Sequence, residues 1–140
     1  MSIKDRSIRY FLRSRIVHRL PGRLRIHLPL LKRLPRENSG AVAIVARLLS
    51  LPDGISEVAP CLETGNVVIR YNAALHTDDD VLRYLHALTQ LCVTNRDLLE
   101  SLSAEHLFEC EERLCTWLKE KLAYRLELDG SMRIPDDVLA

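Results

Sequence analysis

Leu20-Pro21-Gly22-Arg23-Leu24-Arg25-Ile26-His27-Leu28 is the stretch on which the fold turns. Leu24, Ile26 and Leu28 alternate with Arg23, Arg25 and His27, the period-two signature of a strand with one face in a core and the other in water. Pro21 has no amide hydrogen for a ladder, and Gly22 tolerates dihedrals that other residues avoid. The spacing therefore predicts one strand from Arg15 to Leu28 with a bulge or bend at the Pro-Gly step. Pro29 and Pro35 bracket the loop that follows.

Working outward, Ser39 to Leu51 reads as a helix. Val42, Val45, Leu48 and Leu49 supply its apolar stripe, Asn38 or Ser39 can cap it, and Ala41, Ala43 and Ala46 suit close packing on a sheet. Pro52-Asp53-Gly54 stops it. Ile55 to Leu62 and Asn66 to Tyr71 read as strands joined through Glu63-Thr64-Gly65-Asn66. Thr77 precedes Asp78, Asp79 and Asp80, which gives a second helix a capping box and three carboxylates at the positive end of its dipole. Val81, Leu85, Leu88 and Cys92 continue one face of it.

The order β-α-β-β-α is five of the six elements of a ferredoxin-like sandwich. The expected fold class is α+β, a ferredoxin-like βαββα(β) sandwich with a helical C-terminal extension. The fourth strand is not evident. A long helix runs from about Ala104 to Leu122, and Tyr124 to Leu128 alternates before the turn dipeptide Asp129-Gly130. That terminal stretch either supplies the missing strand or prolongs the helix to about Leu126, and the second is the expectation. Three parts follow: a basic arm over 1–14, the sandwich over 15–92 and the extension over 93–140.

The Pro-Gly-Arg strand, the helix stop Leu51-Pro52-Asp53-Gly54-Ile55 and the hairpin Val58 to Tyr71 turning at Thr64-Gly65-Asn66 stand in order at familiar spacing. In this the chain, over about Arg15 to Leu91, resembles the heavy-metal-associated (HMA) domain. The likeness is to the divergent form at the N-terminus of some metal-transporting P-type ATPases and in small proteins encoded beside them. It implies an accessory protein of metal homeostasis, partnered by a P-type ATPase or a second copy of itself. Where metallochaperones of that family carry Cys-x-x-Cys after the first strand, this chain reads Pro29-Leu30-Leu31-Lys32-Arg33-Leu34-Pro35-Arg36. No thiol matches those ligands, so no metal site and no cofactor are expected, and a shared fold does not by itself carry function across.

The length of 140 residues allows one domain with a real core and an appendage. No apolar run approaches the roughly 20 residues of a membrane-spanning helix. The basic beginning lacks a continuous apolar stretch and a small-residue cleavage site, so no secretory signal is expected. Four irregularly spaced cysteines suit a reducing cytoplasm, and the expected location is cytoplasmic or peripheral to a membrane. The net charge of +1 conceals an asymmetry: residues 1–36 hold eleven Lys/Arg against Asp5 alone, which is +10 and leaves −9 for the rest. Such imbalance points to an anionic partner, or to arginines paired with the chain's own acidic helix around Glu109, Glu111 and Glu112.

The candidate residues follow. Arg23, Arg25 and His27 share one strand face, and Arg13, Arg15 and Arg19 have the same parity. Guanidinium forks on a sheet bind phosphate or carboxylate well, so an acidic protein, an anionic membrane surface or nucleic acid can be the partner. RNA-binding sheets stack bases on exposed aromatics, and only Tyr10 and Phe11 stand near this strand. In the long helix Leu107, Leu114, Leu118 and Leu122 form a stripe flanked by Phe108 and Trp117. Such a stripe needs cover, and a protein partner is the expected source. Cys61, Cys110 and Cys115 are the thiols a metal would draw on. Five helical positions turn by about 140°, however, so Cys110 and Cys115 do not share a face, and buried free cysteines are the simpler expectation. His18, His27, His76, His86 and His106 are scattered without ligand spacing. No Gly-rich phosphate loop, nucleophile elbow or Ser/His/Asp order is present. The expected function is a non-catalytic adaptor of a metal (for instance iron) transport or storage system, docking through the basic strand and the C-terminal helix. The alternative is a nucleic-acid-binding module using the same strand.

Overall fold

The computed structural model describes residues 15–28, 39–61, 63–95, 97–98, 101–123 and 126–140. At Pro21-Gly22 the chain does not bend but reverses, so the single strand expected from Arg15 to Leu28 is a hairpin of β1 (Arg15–Leu20) and β2 (Arg23–His27). Proline followed by a glycine at φ +77° is the residue choice of a tight turn with a left-handed second position. A Cβ on residue 22 would lie 2.9 Å from the Tyr71 carbonyl oxygen, and the Tyr71 amide donates to the Gly22 carbonyl at 2.9 Å. Only glycine fits there.

The chain continues as α1 (Ser39–Ser50), β3 (Ile55–Cys61), β4 (Asn66–Tyr71), α2 (Asp78–Thr94), α3 (Ala104–Lys121) and α4 (Asp136–Leu139). The result is an α+β fold with a four-stranded antiparallel sheet in the order β1-β2-β4-β3. The fourth strand thus comes from before the Pro-Gly turn and not from the C-terminal stretch. With β1 paired to the outer side of β2, that edge is closed to any later segment. Helix α3 ends at Lys121, short of the expected Leu126, and Leu126 takes a φ of +60° beside an isolated Ala123–Glu127 bridge. The arm 1–14, the loop Pro29 to Arg36 and the Asn38 cap lie outside the described residues, as do the side chains of Ser39, Val42 and Val45.

Along β2 burial alternates as the sequence requires, with Leu24 and Ile26 fully buried. They join Val67 and Ile69 of β4, Leu49 of α1, Val81, Tyr84, Leu85 and Leu88 of α2, and Leu114 and Leu118 of α3 in one core. Side chains of this size contribute about 1.5–3 kcal/mol each on burial. The Tyr84 hydroxyl donates to the Leu48 carbonyl at 2.5 Å, tying α2 to α1. Burial raises its pKa, so it remains a neutral donor. Helix α2 carries the full capping box: Thr77 Oγ1 accepts from the Asp80 amide at 3.1 Å, and Asp80 accepts from the Thr77 amide at 3.0 Å.

The stripe on α3 is covered from within the chain, which corrects the expectation that a partner must cover it. Cys110, Leu114, Trp117 and Leu118 are buried in the common core, and Leu107 and Leu122 pack against it. Val138 and Leu139 of α4 share that core, and Arg113 Nε donates to the Val138 carbonyl at 3.2 Å. The returning segment is pinned by Asn95, whose side chain is fully buried. Its amide donates to the carbonyls of Leu91 at 2.9 Å and Met132 at 2.8 Å, and its oxygen accepts from the Ile134 amide at 2.8 Å.

Replacing Asn95 with alanine strands the Ile134 amide and the Met132 carbonyl. At about 1–3 kcal/mol for each buried group left unsatisfied, Asn95→Ala is expected to cost on the order of 3 kcal/mol in urea unfolding.

Acid should also loosen α2. The Asp80 carboxyl is held below the ordinary range, first by the Thr77 backbone amide, with Arg83 and the Thr77 hydroxyl adding to it. The unfolded chain therefore binds this proton more readily. Its contribution is complete above the ordinary carboxylate range and is lost as pH falls through the folded-state pKa. Unfolding measured from neutral pH downward should show that loss, and Asp80→Asn should flatten it.

Candidate anion-binding sheet face

The core residues and helices occupy one side of the sheet, and the register defines the other. Leu20, Arg23, Arg70 and Glu57 form one cross-strand row, and His18, Arg25, Val68 and Ala59 form the next. Arg15, His27, Asn66 and Cys61 form the third. The described side chains of these rows are exposed or half-buried. The sheet thus presents an open face whose centre is β2.

Arg23, Arg25 and His27 come together there as the alternation predicted. Arg19 does not. The two-residue reversal at Pro21-Gly22 pairs Leu20 with Arg23 and so puts Arg19 opposite Leu24, on the helix side. Its Nη1 donates to Asp78 Oδ2 at 2.8 Å in the first turn of α2. Arg15 is placed opposite His27, and Arg13 lies outside the described residues. Sequence reasoning missed Arg70, which stands directly across from Arg23 on β4. Its only signal is its place in a β-branched run whose register the sequence leaves unset.

Charges on this face are unbalanced. Glu57 Oε2 lies 3.0 Å from Arg70 Nε, and it is the one carboxylate in the three rows. Among the described residues, no side chain lies within hydrogen-bonding or ion-pair distance of the guanidinium of Arg23 or Arg25. The acidic helix α3 does not supply the missing charge. Its Glu111 and Glu112 pair with Arg47 of α1, at 3.4 Å and 2.5 Å. Like charges directly opposite on a sheet repel, so Arg23 beside Arg70 is a pairing that folding alone does not favour. His27 Nδ1 donates to Asn66 Oδ1 at 3.0 Å, which fixes the ring at one end of the face.

The cysteines are dispersed. Cys110 and Cys115 are buried and free, Cys61 and Cys92 exposed and free. Burial pushes the Cys115 thiol up, whereas the Thr64 hydroxyl, helped by backbone amides, holds the Cys61 thiol below its ordinary range. Among the described residues, no three His, Cys, Asp or Glu side chains come together to hold a metal ion. Of the expected partner-helix residues, Leu114, Trp117 and Leu118 are core, Leu107 is half-buried and Phe108 is 49 % exposed. Among the described residues, no helix is long and apolar enough to cross a membrane. No family model, curated protein or solved structure matches the chain.

Relief of the Arg23–Arg70 repulsion is measurable. Arg23→Thr keeps strand propensity and removes one of the two like charges, so stability in urea is expected to rise by about 0.2–1 kcal/mol, most at low salt. A loss of stability of similar size would mean that Arg23 serves the fold.

Proposed function

We propose that this chain is a non-catalytic docking module, an adaptor in a metal transport or storage system, that presents the open face of its sheet to an anionic partner. The observation that carries this reading is Arg23 and Arg25 on the interior strand β2, next to Arg70, with Glu57 as the one carboxylate among the described residues of the three rows. The sheet fixes the spacing of these side chains, and the planar guanidinium fork loses less freedom per hydrogen bond to phosphate or carboxylate than an ammonium does.

Its wider setting rests on the HMA-like resemblance. The strand order supports a ferredoxin-like arrangement. With β2, β4 and β3 as the first, third and second strands of that sandwich, β1 occupies the edge its last strand would take. In this reading a membrane-associated transporter, such as a P-type ATPase, supplies the anionic surface. The rival nucleic-acid reading draws on the same open face, but no Phe, Tyr or Trp stands in the three rows, and His18 and His27 are the rings left for a base to stack on.

Retention on a soluble polyanion tests the docking. An arginine near an anionic surface contributes about 1 kcal/mol, so Arg23→Gln with Arg25→Gln should weaken binding about thirtyfold and flatten its salt dependence. Unchanged binding by a folded double variant would make these arginines structural.

A further inference from the structure

The open face is selective in its chemistry, and we infer that its occupant is an extended acidic segment of a protein partner, with carboxylates on alternate residues. The inference rests on the docking reading above and names the partner's chemistry. Every fully charged side chain described in the positive part of the face is an arginine: Arg23, Arg25 and Arg70. A diffuse negative surface is served equally by lysine, whereas the planar arginine fork suits a carboxylate or phosphate held in fixed orientation. The face already shows this with a group of its own, since Glu57 reaches across from β3 to Arg70 at 3.0 Å. Arg23 and Arg25 have no such group among the described residues.

Geometry selects the segment. Arg23 and Arg25 are two residues apart on one strand, so their Cα atoms repeat at about 6.6–6.8 Å. Alternate residues of an extended peptide repeat at the same distance. Among the described residues the positive charge does not extend across the sheet: on β3 the rows end in Glu57, Ala59 and Cys61. A flat anionic membrane would also cover Ala59, Cys61 and the Glu57–Arg70 pair, which offer it no unpaired positive charge, whereas one extended chain lying along β2 meets Arg23 and Arg25. Leu20, 51 % exposed and beside Arg23, offers an apolar contact that suits a side chain of a protein rather than a phosphate.

Three probes decide the matter in titrations of the full chain. They are a short peptide alternating Glu with Thr, a peptide of the same composition with its glutamates in one block, and phosphatidylserine vesicles. A single-stranded oligonucleotide serves as a fourth arm. The alternating peptide is expected to bind at least several-fold more tightly than the block peptide. Arg23→Lys with Arg25→Lys, which keeps charge and removes the forks, should erase that preference. Parity between the two peptides, or tighter binding to vesicles or oligonucleotide, overturns the inference while leaving anionic docking intact. Binding to every anion that is indifferent to Arg23→Gln with Arg25→Gln overturns the docking reading as well.

Discussion

The turn at Pro21-Gly22, closed against Tyr71, is the constraint from which the rest of the architecture follows. Glycine at φ +77° reverses the chain, and the contact with the Tyr71 backbone leaves no room for a Cβ. Reversal places β1 on the outer edge of β2 and so makes β2 an interior strand. Interior position gives β2 two neighbours, and its arginines become the middle of a surface instead of its margin. It also closes that edge of β2 to the C-terminal segment, which instead packs among the helices. There Asn95 satisfies the backbone of that segment much as a strand neighbour would.

Two charge systems follow from this arrangement, and the sheet lies between them. On the helix side, Arg19 meets Asp78, and Arg47 meets Glu111 and Glu112. On the open side, Arg70 meets Glu57, and among the described residues no other carboxylate stands in the rows of Arg23 and Arg25. Exposed ion pairs add little to stability, so the helix-side pairs matter chiefly because they withdraw the acidic residues from the open face.

Elements with local signatures were legible in the sequence. Alternation of Leu24 and Ile26 with Arg23, Arg25 and His27 assigned both faces of β2, and Thr77 through Asp80 marked the start of α2 to the residue. Ambiguous chemistry accounts for the first misreading. Pro-Gly serves a bulge as well as a turn, and only the contact with Tyr71, about fifty positions away, decides between them. Parity misled at Arg19 because the two-residue reversal sets Leu20, and not Arg19, on the face of Arg23. Arg70 was missed because its importance depends on standing opposite Arg23, a pairing between segments. The cover of α3 was illegible for a different reason. It depends on one buried asparagine and a short terminal helix, neither of which has a periodic pattern.

Proton–proton NOEs across the strands test the central claim most directly, because the hairpin and its sheet neighbours predict specific pairs. The account predicts backbone NOEs between His18 and Arg25 and between Arg25 and Val68, which place β2 between β1 and β4. NOEs from β2 to residues 126–134 in place of β1 would contradict it: the fourth strand would then come from the C-terminal stretch and the open face as drawn would not exist.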